Sequence, residues 1–98
     1  YVAGYAYYEG ERLEEQMEAG QALMLMQEEE NPHDSSAIAL AWEGHKLGYV
    51  PRPENREIAR RLKAGEPLSA RILHLDPATP VWQRLEFVIV ADPPSAER

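Results

Sequence analysis

Histidine, serine and cysteine chemistry can be tested first. His33, His45 and His74 fall at spacings that match no H-x-x-x-H or H-E-x-x-H ligand pair. His33 beside Asp34, with Glu28, Glu29 and Glu30 close by, is the one stretch that could collect a divalent ion for hydrolysis. A turn carrying exposed carboxylates accounts for the same residues. Ser35, Ser36 and Ser69 lie in no G-x-S-x-G elbow, and neither a G-x-x-x-x-G-K-[ST] nor a G-x-G-x-x-G loop is present. The chain has no cysteine, which excludes a disulfide frame, a thiolate zinc site and a cysteine nucleophile. The expectation is a non-catalytic protein with no cofactor and no metal.

Two polar clusters remain. Asn31-Pro32-His33-Asp34 is a turn sequence, because Asn and Asp bond their own backbone and Pro fixes one dihedral. Its plain role is to make that turn; the alternative is a carboxylate and an amide offered to hydroxyl or base-edge groups. Leu47-Gly48-Tyr49-Val50-Pro51-Arg52 is the second cluster. Gly48 inside a strand signals a bulge or the close approach of another backbone or a ligand. Tyr49 and Arg52 could supply a stacking ring and a phosphate-binding guanidinium. Tyr1, Tyr5, Tyr7 and Tyr8 add ring surface; strand alternation puts Tyr1, Tyr5 and Tyr7 on one face and Tyr8 on the other.

Short elements must position these clusters. Residues 2–8 alternate aromatic and small side chains up to Glu9-Gly10 and predict a strand. Leu13 and Met17, four apart and followed by Gly20, predict a short helix over 11–19. Residues 22–27, a brief run of Leu and Met, are short enough for a buried strand although their types would equally suit a helix, and 37–42 with 45–50 predict a hairpin around Glu43-Gly44. Pro51 and Pro53 open a helix with Ile58 and Leu62 as its apolar stripe, basic residues near its end and Gly65 as its stop. Residues 69–75 and 85–90 predict two more strands. About six strands and two short helices point to a small β-barrel or sandwich with inserted helices. The barrel is expected over 1–91, with 92–98 as a tail or linker.

At 98 residues the chain is one domain. Its net charge of −7 argues against a generally sticky nucleic-acid binder, but the charge is segregated. Residues 9–30 hold eight acids against one base, and residues 45–71 hold seven bases against three acids. A local basic field of that kind can steer an anion; two solvated faces would give the same pattern. No apolar run approaches the ~20 residues of a membrane span and no targeting segment opens the chain, so the expected location is cytoplasmic. Eight Arg against two Lys leans towards a bacterial source, and a start at Tyr1 fits an excised domain.

The ordered series Val2-Ala3-Gly4…Tyr7-Tyr8, Gly20-x-x-Leu23, Glu28-x-x-Asn31-Pro32-x-Asp34-x-x-Ala37-Ile38 and Leu47-Gly48-Tyr49-Val50-Pro51-Arg52, followed by a short helix and Gly65, resembles the HIRAN domain. The resemblance covers residues 2–73. It implies an OB-like six-stranded β-barrel with two inserted helices. It further implies a module for the 3′ end of single-stranded DNA, as in the eukaryotic fork-remodelling branch, where the domain is fused to Swi/Snf-type helicase-like ATPases. Transferred residue by residue, it implies that Tyr7 holds a base, that Asn31 and Asp34 form the turn whose carboxylate accepts the free 3′ hydroxyl, and that Tyr49 and Arg52 complete the site. Two positions depart from the pattern: Ala6 stands where that branch has arginine, and His33 where its turn has an aromatic.

The function expected is therefore nucleic-acid binding in DNA repair or replication-fork processing, through Tyr7, Asn31, His33, Asp34, Tyr49 and Arg52. Single-stranded DNA is the expected partner, with a helicase-like ATPase or nuclease as an associated protein and no membrane. The competing expectation is a protein-interaction or structural module that keeps the barrel without the DNA site.

Overall fold

A computed structural model describes residues 1–92. Five strands form one antiparallel sheet: β1 Ala22–Gln27, β2 Ile38–Trp42, β3 His45–Tyr49, β4 Leu68–Leu75 and β5 Leu85–Ala91. Their spatial order is β3-β2-β1-β4-β5, and the sheet is open. Two α-helices accompany it, α1 Gly10–Leu13 and α2 Arg52–Lys63. Three 3₁₀ turns occur at Tyr5–Tyr7, Glu14–Gln16 and Val81–Gln83. No helix is long and apolar enough to cross a membrane among the described residues.

The strand β1 works in two halves. Ala22 and Leu23 pair with Arg71 and Ala70 of β4, whereas Met24 to Gln27 pair with Ala41 to Ile38 of β2. One strand thus turns the corner between two sheet segments, as in orthogonally packed β structures. Period-two alternation explains its burial: Leu23 and Leu25 face the core, and Met24 and Met26 face out. β2 is buried along its whole length, with Ile38, Leu40 and Trp42 in the core cluster beside Leu47, Val50, Ile72 and Leu85. Each fully buried aliphatic side chain here contributes roughly 1.5–3 kcal/mol of transfer free energy. α2 turns Asn55, Ile58, Ala59 and Leu62 inward, the i, i+3, i+4, i+7 stripe of an amphipathic helix. Arg60, Arg61 and Lys63 sit at its negative end.

Two expectations are corrected. Residues 2–8 do not make a strand, and the sheet has five strands rather than six without closing into a barrel. Gly4 adopts a left-handed φ of 72°, which ends the extended backbone after Ala3 and starts the 3₁₀ turn Tyr5–Tyr7. Only Ala3 pairs with β3, exchanging two 2.8 Å backbone hydrogen bonds with Tyr49. Val2 N–H donates to Leu85 O at 3.0 Å, so two residues tie both sheet edges together. The face assignment of the tyrosines changes with the backbone: Tyr5 is buried, its hydroxyl donating to Glu14, and Tyr7 is exposed.

The expected helix over 11–19 is shorter, α1 followed by a 3₁₀ turn, after which Met17 is extended and buried. Gly48 meets its expectation: at φ 149°, a β-carbon there would lie 2.4 Å from the Ala3 carbonyl oxygen. The β2–β3 ladder also shifts register between Leu40 and Ala41, opposite Gly48. Of the expected tail, only Asp92 lies within the described residues. Its N–H donates to Pro67 O at 2.7 Å and its carboxylate accepts from Ser69 Oγ at 2.7 Å.

Candidate functional site

The loop from β1 to β2, the end of β3 and the first turns of α2 enclose an open cleft of about 300 Å³. Asn31, His33, Asp34, Tyr49 and Arg52 all line it, so the structure brings five of the six residues expected from sequence together. Tyr8, Asn55 and the backbone-paired Ala3 complete the wall. The sixth, Tyr7, is 86% exposed on the neighbouring 3₁₀ turn and does not line the cleft. Trp82 is also exposed and Phe87 packs on the core; neither lines this cleft.

Local hydrogen bonding explains the β1–β2 loop. Asn31 Oδ1 accepts from the N–H groups of His33 (2.8 Å) and Asp34 (3.1 Å), an Asx turn. Its amide donates to Glu28 Oε1 at 3.1 Å. Asn31 is therefore spent on building the corner. Asp34 is held from three sides: Oδ1 accepts from Ser36 N–H at 2.9 Å, while Oδ2 accepts from Asn55 Nδ2 at 2.7 Å and lies 3.6 Å from Arg52 Nε. Hydrogen bonds from Asn55 and Ser36 outweigh partial desolvation and, with the nearby Arg52 and Arg56 charges, lower the Asp34 pKa from its ordinary value. The side chain keeps 22% exposure, so an ionised carboxylate with a spare lone pair meets the cleft.

Arg52 is anchored and yet available. Its guanidinium donates to His33 O at 3.2 Å and faces Asp34, with 72% of the side chain in solvent. His33 is exposed at the rim. On the opposite wall the Tyr49 hydroxyl donates to Glu28 Oε1 (2.8 Å) and accepts from Lys46 Nζ (2.6 Å). Tyr8 meets Tyr49 edge-on with ring centroids 5.9 Å apart, and Lys46 Nζ lies 4.4 Å from the Tyr49 centroid and 4.8 Å from that of Tyr8. The Lys46 hydrogen bond pulls the Tyr49 phenol down, but burial and Glu28 outweigh it and the net shift is upward. Burial opposes charge on both Glu28 and Lys46, yet their bonds to each other and to Tyr49 leave Glu28 lowered and Lys46 raised. The ring is fixed as a neutral phenol between two opposite charges.

Sequence reasoning named Tyr8 only as ring surface, not as a site residue, and missed Asn55 and the Glu28–Lys46 pair. Asn55 had a readable signal: a buried polar residue (4% exposed) heading the stripe of Ile58, Ala59 and Leu62 needs a partner, and Asp34 is that partner. Tyr8 had none, because its place depends on the turn at Gly4. The segregated charges are partly cross-paired, Glu28 with Lys46 and Glu29 with Lys63; Glu11 and Glu14 pair with Arg84, and Arg60 and Arg61 pair within their own stretch with Glu57 and Glu66. Three or more His, Cys, Asp or Glu side chains gather nowhere as a metal-binding group among the described residues.

The chain resembles two solved structures. A Lactobacillus plantarum protein is 29% identical with a TM-score of 0.77, the match covering 90% of this chain and 84% of that one. The HIRAN domain of human HLTF has the same fold at 16% identity and a TM-score of 0.65, covering 90% of this chain and 65% of that one. A search of the curated proteins found no match. The family model described as the HIRAN domain matches residues 1–91. With nearly the full length accounted for, this chain belongs to the HIRAN domain family.

Proposed function

We propose that this chain is a non-catalytic module that binds the 3′ end of single-stranded DNA. The observation that carries the reading is the Asp34 carboxylate, kept ionised by Asn55 and Ser36 and facing a cleft with a phenol wall and a guanidinium rim. A free 3′ hydroxyl is a donor that such an acceptor takes strongly, whereas an internal phosphodiester or a 3′ phosphate there meets like charge. Tyr49 and Tyr8 offer ring surface to the terminal nucleotide, Arg52 a phosphate contact, and His33 and the exposed Tyr7 further stacking at the rim. Base stacking on such rings is worth ~1–3 kcal/mol per base and is indifferent to sequence. In this reading Asn31 acts through the loop it shapes. The module would deliver an associated helicase-like ATPase or nuclease to DNA ends in repair or fork processing.

The test is fluorescence anisotropy with one oligonucleotide ending in a 3′ hydroxyl or a 3′ phosphate. The hydroxyl end is expected to bind more tightly, and Asp34→Ala to abolish the difference. Equal binding of both ends, unchanged in Asp34→Ala, refutes the proposal.

A further inference from the structure

We propose that a second phosphate subsite adjoins the cleft, with Arg56 as its cation, and that a bound strand leaves the terminal-nucleotide site along the first turns of α2. This inference rests on the reading of the first cleft given above and adds to it the path of the chain. Among the described residues, Arg12, Lys46, Arg52, Arg60, Arg61, Lys63 and Arg84 each have a carboxylate within ion-pairing distance. Arg71 instead donates to the Gly20 carbonyl. Among the described residues Arg56 has neither kind of direct partner: it feels the nearby Asp34 charge without pairing with it, which leaves its N–H groups free on the basic face of α2.

Arg56 lines a second cleft of about 350 Å³ together with His33, Asp34, Ser36, Arg52 and Pro53. His33, Asp34, Arg52 and Asn55 line both clefts, so the two are continuous across the Asp34–Arg52 pair. Four residues of helix separate Arg52 from Arg56, placing them on one face about 6 Å apart along the axis. That separation can be bridged by one step of a nucleic-acid backbone. The Ser36 backbone N–H is occupied by Asp34, whereas its hydroxyl has no hydrogen-bond partner among the described residues and can donate to a phosphate oxygen. Asp34 does not forbid an anion there. It repels a phosphate set against its own oxygens, as at the strand terminus, but the phosphate of the second subsite is taken at the Arg56 guanidinium and the Ser36 hydroxyl on the same cleft. A planar guanidinium with free N–H groups facing a groove suits a phosphate better than a neutral or cationic ligand.

The experiment uses the same anisotropy assay with a 5′-labelled oligothymidine. One neutral methylphosphonate linkage is placed at the 3′-most, second or a distant position. Arg56→Ala is expected to weaken binding of the unmodified strand roughly fivefold, the scale of one net hydrogen bond. It should also lower the slope of log K against log salt by about 0.7. A methylphosphonate at one of the two 3′-proximal linkages should erase the difference between Arg56→Ala and the parent, while a distant one should not. If Arg56→Ala binds as the parent does, or loses affinity equally for every linkage position, the subsite is overturned. If at the same time the hydroxyl end is still preferred, the terminal-nucleotide reading stands without it. If instead both ends bind alike but Arg56→Ala still shows linkage-specific loss, the phosphate subsite stands and the end reading falls. No binding of any strand refutes both.

Discussion

Substituting Gly48 by alanine adds one methyl group at the point where the N-terminal segment meets β3. An alanine β-carbon at that site would sit 2.4 Å from the Ala3 carbonyl oxygen and 2.6 Å from Val2 Cγ1, distances at which one partner must move. Overpacking of that kind costs about 1–3 kcal/mol. Holding an L-residue at the native φ of 149° adds about 1–3 kcal/mol. The smallest combination is about 2 kcal/mol, which for a domain of this size lowers Tm by roughly 8–16 °C. The displacement also falls on the paired 2.8 Å hydrogen bonds between Ala3 and Tyr49, and therefore on the wall that Ala3, Tyr8 and Tyr49 share. Urea unfolding followed by tryptophan fluorescence, in which the buried Trp42 becomes exposed, with a thermal melt alongside, measures the cost. Val2→Ala in the same background removes one of the two clashes and should recover part of it. A Gly48→Ala protein within about 0.5 kcal/mol of the parent would refute the reasoning, because surface-like tolerance of that size is incompatible with a closed approach.

Two further outcomes are expected. Tyr7→Ala should leave stability within about 0.5 kcal/mol, since the ring is solvent-exposed. If the ring stacks on a base the same change costs ~1–3 kcal/mol of binding, so a melt and an anisotropy titration together check the assignment. Asn55→Ala removes the largest influence lowering the Asp34 pKa, so a carboxyl-detected NMR titration should show it move up towards the ordinary aspartate value. The sign follows from linkage. A lowered folded pKa means that the Asp34 contribution is in place above the unfolded value and is lost as pH falls through the folded one. Binding of a 3′ hydroxyl strand should therefore persist to lower pH in the parent than in Asn55→Ala.

Local signals reached some parts of the molecule and not others. The hairpin of β2 and β3, the helix after Pro51 and the strands β4 and β5 follow from alternation, turn residues and proline placement, and their bounds agree to within a residue or two, whereas the pairing of β4 with β5 was not legible in the sequence. Residues 2–8 misled because alternating aromatic and small side chains are compatible with a strand, and nothing local revealed that Gly4 would turn the chain after Ala3. The bridge across the open edges of β3 and β5 was equally hidden: it depends on Val2 and Ala3 reaching Leu85 and Tyr49, contacts far apart in sequence. In the cleft, the turn residues were legible because Asn-Pro-x-Asp carries its own hydrogen bonding. The Asn55–Asp34 bond spans 21 residues and needed the packing of α2 to appear.

The short segment that crosses the outer edge of β3 also occupies backbone groups that would otherwise invite another chain. Ala3 takes both the N–H and the carbonyl of Tyr49, and Glu9 N–H takes the carbonyl of Lys46. Bare strand edges of this sort are templates for self-association. Peeling that segment away would strip one wall from the cleft and lay bare an adhesive border in a single event. Any treatment that releases it should cause loss of ligand capture and onset of clumping at the same dose, rather than one after the other.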